Sequence, residues 1–476
     1  MAAFPLYFES KLDYNDSKRQ EKAFFWINML LDSNNLIQKA LLTATNTREI
    51  HVGRHILSKI SDIFKRNFPG SKTVLIADET TWDAAGFTVR NHLLEADIEI
   101  GETLVFPAIP KPVADYDHLR AVRDVLAKAG PNARAIAIGA GTINDLCKRA
   151  SEERHQPYIC VATAASVDGY ASFGAPITKD GFKSTWPCAA PRVIIADSDI
   201  LLTAPRELTA SGYADLAAKV ASGADWYLAD AMGLDPIQPK VWATTQIPLR
   251  DWLANPAALS NGEPTAILNL FTGLAMTGFA MQTTHSSRPA SGAEHLFSHV
   301  WEMWDVVKPN GEHPSHGEKV GIGTLCTTNM LFSFFEKPFV DSDIERAVAA
   351  YPSWNKIEKR IRNLLGKGAI GDQAVSASRA KYPTPGILRE RLGRLVDVWD
   401  ELSGKVRKQL IPYAELKAMF QAARCPVTPE GIGVRRADVP SCALAAQLIR
   451  NRYTILDLAL DTGRLDRLAN ELTSIW

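Results

Sequence analysis

Residues 291–304, SGAEHLFSHVWEMW, set His295 and His299 four positions apart within an amphipathic period. On a helix that spacing aims both imidazoles from one face. Such a pair can ligate a metal, serve a substrate, or simply hydrogen-bond inside a core, and the spacing alone leaves these open. Ser291 is a good N-cap residue with Glu294 three positions on, so a capping box is expected here. His295 then falls in the first turns, where the positive end of the helix dipole favours a neutral, metal-competent ring. Two other segments carry matching residue types. TASGYADLAAK places Asp215 in the opening part of a helix, and GEHPSHGEKVGIGT places His313 and His316 in a Pro/Gly-rich turn ahead of another. Two histidines and one carboxylate gathered between helices leave coordination positions open, as a catalytic metal requires.

A second set of residues suits phosphate. In AIAIGAGTINDLCK an apolar strand runs into Gly139-Ala140-Gly141-Thr142 and directly into a helix. Glycine lets backbone approach a pyrophosphate, and the N–H groups of a helix start bind its charge. A lone GxG is a weak signature, and this one lies in a later strand–helix turn than the usual dinucleotide fingerprint. Asp78, closing the first strand in VLIADETTW, either accepts hydrogen bonds from an adenosine ribose or caps the next helix. VATAASVDGYASFGAPITKDGFKST follows another buried strand with small and turn residues, at the sheet edge where such folds place ligands. Asp168 and Ser172 stand out there, although an Asp-Gly turn gives the same pattern.

These groups need a scaffold. Between about 50 and 200, short apolar runs such as KTVLIAD, ETLVFP, ARAIAIG, PYICVAT and RVIIADSDIL alternate with helical patterns. That alternation predicts an α/β domain with a mostly parallel sheet. Beyond residue 203 the periods are helical throughout. The expected organisation is an α/β nucleotide-binding domain over 1–203 and an all-helical metal- and substrate-binding domain over 204–476.

Length supports two cores in 476 residues. Lys plus Arg and Asp plus Glu both total 53, so no global charge steers the chain to nucleic acid or anionic membranes. Six cysteines without a CxxC pair argue against a thiolate zinc site and fit a reducing cytoplasm. The uncharged run TAILNLFTGLAMTGFAMQ (265–282) lacks basic flanks and aromatic belts, so a buried helix is expected rather than a membrane span.

The ordered motifs GAGTINDL, TAASVDGYAS, DGFKSTWPCAAP, SGYADLAAKVASGADW, SRPASGAEHLFSHVWEM and HGEKVGIGT resemble the glycerol-1-phosphate dehydrogenase family over roughly residues 50–476. That family sits in the larger group of glycerol dehydrogenase, iron-type alcohol dehydrogenases and 3-dehydroquinate synthase. The resemblance implies reduction of dihydroxyacetone phosphate with NAD(H) or NADP(H) and one divalent ion (zinc or nickel, or iron). It implies Asp215, His295 and His316 as metal ligands, and Asp168 and His299 facing the substrate together with Asp215. It implies dinucleotide contacts from Gly139, Ala140, Gly141, Thr142, Thr163, Ala164, Ala165, Ser166 and Ser172, and a homodimer. His313 falls outside the ligand pattern. Lys183, Arg288 and Lys319 are the cations on these motifs available to a substrate phosphate. An unphosphorylated-polyol dehydrogenase is the alternative on the same fold. A lyase of the dehydroquinate synthase type fits less well, because its carboxylate ligand is usually glutamate.

Overall fold

The computed structural model describes residues 36–179 and 182–476, the side chains of 182 and 183 excepted. After helix α1 (Leu36–Thr43), six strands form one sheet: β1 (Glu49–Gly53), β2 (Lys72–Asp78), β3 (Leu104–Phe106), β4 (Ala133–Gly139), β5 (Ile159–Ala162) and β8 (Val193–Asp197). Their order is β1-β8-β5-β4-β2-β3, and every neighbouring pair is parallel. Parallel neighbours need crossovers. Helices α2 (Ile60–Asn67), α3 (Phe87–Glu95), α4 (Tyr116–Ala129) and α5 (Gly141–Glu153) provide them.

The strands read as continuous apolar runs because both faces are covered. Val74, Ile76, Ala135 and Ala137 point into the main core, while Leu75, Ala77, Ile136 and Ile138 pack with Ile60, Phe64, Val89 and Leu93 in a smaller one. The strand order reverses between β2 and β4, since β3 lies outside β2 and the chain then crosses back. Such a reversal opens a ligand crevice at the carboxyl ends of the flanking strands. Those ends are Asp78 and Gly139.

Two elements differ from expectation. EIHVG forms β1, so Asp78 closes the second strand rather than the first. The segment after Ser172 also holds an antiparallel hairpin, β6 (Ala175–Lys179) with β7 (Phe182–Trp186), in register Ala175↔Trp186.

Among the described residues no strand follows 197. Helices α6 (Arg206–Ala231), α7 (Pro264–Thr284), α8 (Ala293–Met303) and α9 (His316–Phe334) lead into shorter ones that include α10 (Ile455–Asp461). The main core runs through both parts of the chain, from Leu36 to Leu472. Helix α7 has the length and apolarity to cross a membrane, but 67% of its apolar window is buried inside the protein. It is a core helix, as expected.

Candidate metal and substrate site

Three helices bring the ligand set together. Asp215 lies in the third turn of α6, His295 in the first turn of α8, and His316 opens α9. One donor atom from each falls within 4.8 Å of the others. Asp215 Oδ1 is 3.6 Å from His295 Nε2, and the two imidazole centroids are 5.3 Å apart. Asp215 is fully buried, and His316 is the most exposed of the three. Close helix approach makes this possible. A Cβ on Gly317 would collide with the Ser211 backbone of α6, so only glycine fits beside His316. The Ser211 hydroxyl accepts from Gly317 N–H at 3.1 Å and donates to Ser166 O at 3.2 Å, tying α9 and the loop after β5 to α6.

Local signals place these helices, with two corrections. His316 is the first helical residue rather than part of a preceding turn, because Ser315 is the N-cap and forms a capping box with Glu318. The box expected at Ser291 and Glu294 is absent, since Gly292 is the N-cap of α8. Glu294 Oε1 instead accepts from Gly292 N–H at 2.6 Å and lies 2.8 Å from His295 Nδ1. The first α8 amide, on Ala293, donates to buried Asp225 Oδ2 at 2.7 Å; Asp225 Oδ1 accepts from Ile455 N–H at the start of α10. Burial, then repulsion from Glu294, pushes the Asp225 carboxyl up to about 7.

Carboxylates stand behind both candidate histidine ligands. Glu294 holds His295 Nδ1, which turns Nε2 towards Asp215. Such partners fix the tautomer and orientation of a ligating ring. Burial lowers the His295 imidazole, but its hydrogen bonds to the Asp215 and Glu294 carboxylates outweigh it and the net shift is upward. These carboxylates oppose the helix dipole, which alone would favour the neutral ring. A metal on Nε2 would displace that proton. Glu302, one turn beyond His299, lies 3.5 Å from His299 Nδ1, 3.9 Å from His316 Nδ1 and 3.4 Å from Lys319 Nζ. Burial lowers the half-buried His299 to about 4, so this ring is neutral near pH 7. His313 is exposed and meets Val306 O at 3.3 Å, outside the cluster. Replacing Glu294 by Ala is expected to weaken metal affinity by roughly 10–100-fold; a competition titration against a chromophoric chelator measures it.

Asp168 joins the same cluster. Its backbone N–H donates to Asp215 Oδ2 at 2.9 Å, and its carboxylate lies 2.8 Å from the ammonium of fully buried Lys219. Lys219 also donates to Asp215 Oδ1 at 2.7 Å. Burial alone would lower the Lys219 ammonium, but the two carboxylates hold it charged. Sequence reasoning missed Lys219, Glu302 and the second role of Glu294. Each lies within four positions of a recognised residue, which is the signal that could have found them.

Across the sheet edge, Gly139 ends β4 and α5 starts at Gly141. A Cβ on Gly139 would sit 2.6 Å from Ile143 Cβ, so glycine permits the tight strand-to-helix turn. Ala140 is the N-cap and offers no side-chain acceptor to the α5 amides, an arrangement that suits a pyrophosphate. Thr142 lies half-buried on the first turn. Thr163 N–H donates to Gly139 O at 3.2 Å, placing the 163–166 loop beside that turn. Within it Ala164 O accepts from Tyr170 at 2.6 Å, and Ala165 O faces Gly212 of α6. The Ser172 hydroxyl donates to Gly169 O at 3.0 Å, and buried Lys148 clamps Gly169 O and Gly174 O. Asp78 accepts from Thr81 N–H at 2.9 Å as a helix cap. Of the phosphate candidates, Arg288 is buried and committed to Asp225 O, Tyr453 O and Asp235. Lys319 lies with Glu302 beside His316, and the Lys183 side chain is outside the described residues.

Residues 51–205 match the family model described as iron-containing alcohol dehydrogenase. A glycerol-1-phosphate dehydrogenase [NAD(P)+] of Geobacillus stearothermophilus is 30% identical over 408 residues, covering 85% of this chain and 90% of the relative. That of Halalkalibacterium halodurans is 33% identical over 278 residues, 58% of this chain and 69% of the relative. The chain belongs to the glycerol-1-phosphate dehydrogenase family. It is an NAD(P)-linked oxidoreductase. A family member from Pyrococcus horikoshii is 31% identical over 58% of this chain and 77% of its own length. Solved structures share the fold at low identity. A glycerol dehydrogenase of Schizosaccharomyces pombe gives a TM-score of 0.53 at 15% identity, covering 90% of this chain and 91% of that one. A sulfoacetaldehyde reductase of Bifidobacterium kashiwanohense in complex with NAD+ gives 0.54 at 14%, covering 90% and 98%.

Proposed function

We propose that this glycerol-1-phosphate dehydrogenase family member reduces dihydroxyacetone phosphate to sn-glycerol 1-phosphate, reversibly, with NADH or NADPH. The observation that carries the reading is the meeting of Asp215, His295 and His316, with Asp168 bonded to Asp215 and His299 sharing Glu302 with His316. Two imidazoles and one carboxylate fit a divalent ion with open coordination, zinc, nickel or iron alike. The ion supplies polarisation of the C2 ketone, and the reduced nicotinamide supplies hydride.

The chain's own groups do the rest. The α5 amides and Gly139–Thr142 hold the pyrophosphate, with the 163–166 loop and Ser172 on the nicotinamide side, all within residues up to 203. The metal and most substrate contacts come from 204 onward. Asp78 beside the crevice disfavours a 2′-phosphate and favours NADH. Asp168 and His299 orient the C2 oxygen, and the proton it takes up comes from solvent, relayed through neutral His299, which gains a proton at one ring nitrogen as it gives one from the other. A neutral His299 hydrogen-bonds the substrate across the physiological range, and Lys319, beside Glu302 and less buried than Lys219, attracts its phosphate.

Two measurements bear on these roles. His299→Ala is expected to keep its metal and lose turnover by roughly 10²–10⁴-fold, whereas His295→Ala loses both; equal metal contents in the two variants would contradict the division. Product stereochemistry tests the reading as a whole. The glycerol phosphate formed should resist oxidation by an enzyme specific for the sn-3 isomer, and complete oxidation by that enzyme would refute the proposed product.

A further inference from the structure

Lys219 is four residues beyond Asp215 on α6 and completely buried. Its ammonium lies 2.7 Å from Asp215 Oδ1 and 2.8 Å from Asp168 Oδ2, so one internal cation bridges the ligand carboxylate and the substrate-facing one. Buried lysines are rare without such partners. Two carboxylates joined as closely as the Asp168 N–H to Asp215 Oδ2 bond requires would repel each other without a cation between them. The oxygen that Lys219 holds is also the Asp215 oxygen nearest His295 Nε2. An ion seated between that oxygen and His295 Nε2 would share the oxygen with an ammonium.

We propose that Lys219 is the resident counter-cation of the site: it keeps Asp168 and Asp215 together while no ion is bound, and it moderates the ion's hold once one arrives. A lysine in this place lets the apoprotein fold with its ligands already gathered. It also keeps the ion weakly enough bound to exchange. This rests on Asp215, His295 and His316 being the ligands, but not on the identity of the substrate.

The test uses chelator-stripped full-length protein with zinc as the probe. Lys219→Met is expected to lower the apoprotein Tm by roughly 5–10 °C, and zinc should restore most of that fall. The zinc Kd should tighten at least about tenfold, because a neighbouring positive charge is gone. Adding Asp168→Asn to Lys219→Met removes one unneutralised charge and should recover part of the lost Tm. If Lys219→Met alone does not fold, the double variant should, with a zinc Kd still tighter than wild type but by less, because an anion has gone with the cation. An unchanged apoprotein Tm, an unchanged or weaker zinc Kd, or a double variant no more stable than the single one would overturn the proposal. Wild-type protein that binds no zinc would instead remove the ligand assignment on which it stands.

Discussion

Replacing His316 by Ala is expected to abolish turnover and release the metal while the helices stay intact. The ring is the most exposed of the three candidate ligands, and the α9 start is capped by Ser315 and Glu318, neither of which needs the imidazole. Losing a ligand therefore costs little fold stability. It removes more metal affinity than the roughly 10–100-fold typical of losing an orienting partner. Elemental analysis of wild type and His316→Ala purified side by side, with circular dichroism for fold, reads out both parts. A folded His316→Ala protein with full metal content and activity would sink the ligand assignment.

Dihydroxyacetone should be a far poorer substrate than its phosphate. Polar groups arranged for a phosphate are left unpaired without one, and hydrogen-bond-based rejection reaches roughly 10⁴–10⁵-fold. Lys319 is the group through which this discrimination is expected to act, since it sits by Glu302 at the same cluster as His299 and His316. Lys319→Met should raise KM for dihydroxyacetone phosphate and narrow the gap between the two ketones. Comparable kcat/KM for both ketones in the wild type would move the protein to the polyol dehydrogenases.

The central strands were legible because burial on both faces leaves no polar alternation to confuse them with surface strands. β1 escaped notice because it is half-buried along its whole length at the sheet edge, and EIHVG carries a charge and a histidine. The hairpin β6–β7 was hidden by the many small and turn residues around it, although Asp-Gly between two β-rich runs is itself a hairpin signal. Asp215, His295 and His316 stand out by residue type together with family motif, and the fold brings them together. Their supports do not stand out, for a physical reason. The anchor of the α8 start is Asp225, 68 positions away, and no local pattern reveals so distant a cap. Reading Ser291 and Glu294 as a local box gave Glu294 a purely structural job and concealed its bond to His295.

The most direct test of the whole account strips the protein with a chelator and follows NADH oxidation with dihydroxyacetone phosphate before and after a divalent ion is restored. The account predicts no turnover in the stripped enzyme, and activity that returns in proportion to ion bound, up to one per chain. Full activity in protein shown to be metal-free, or no oxidation of NADH or NADPH by any reloaded form, would contradict it.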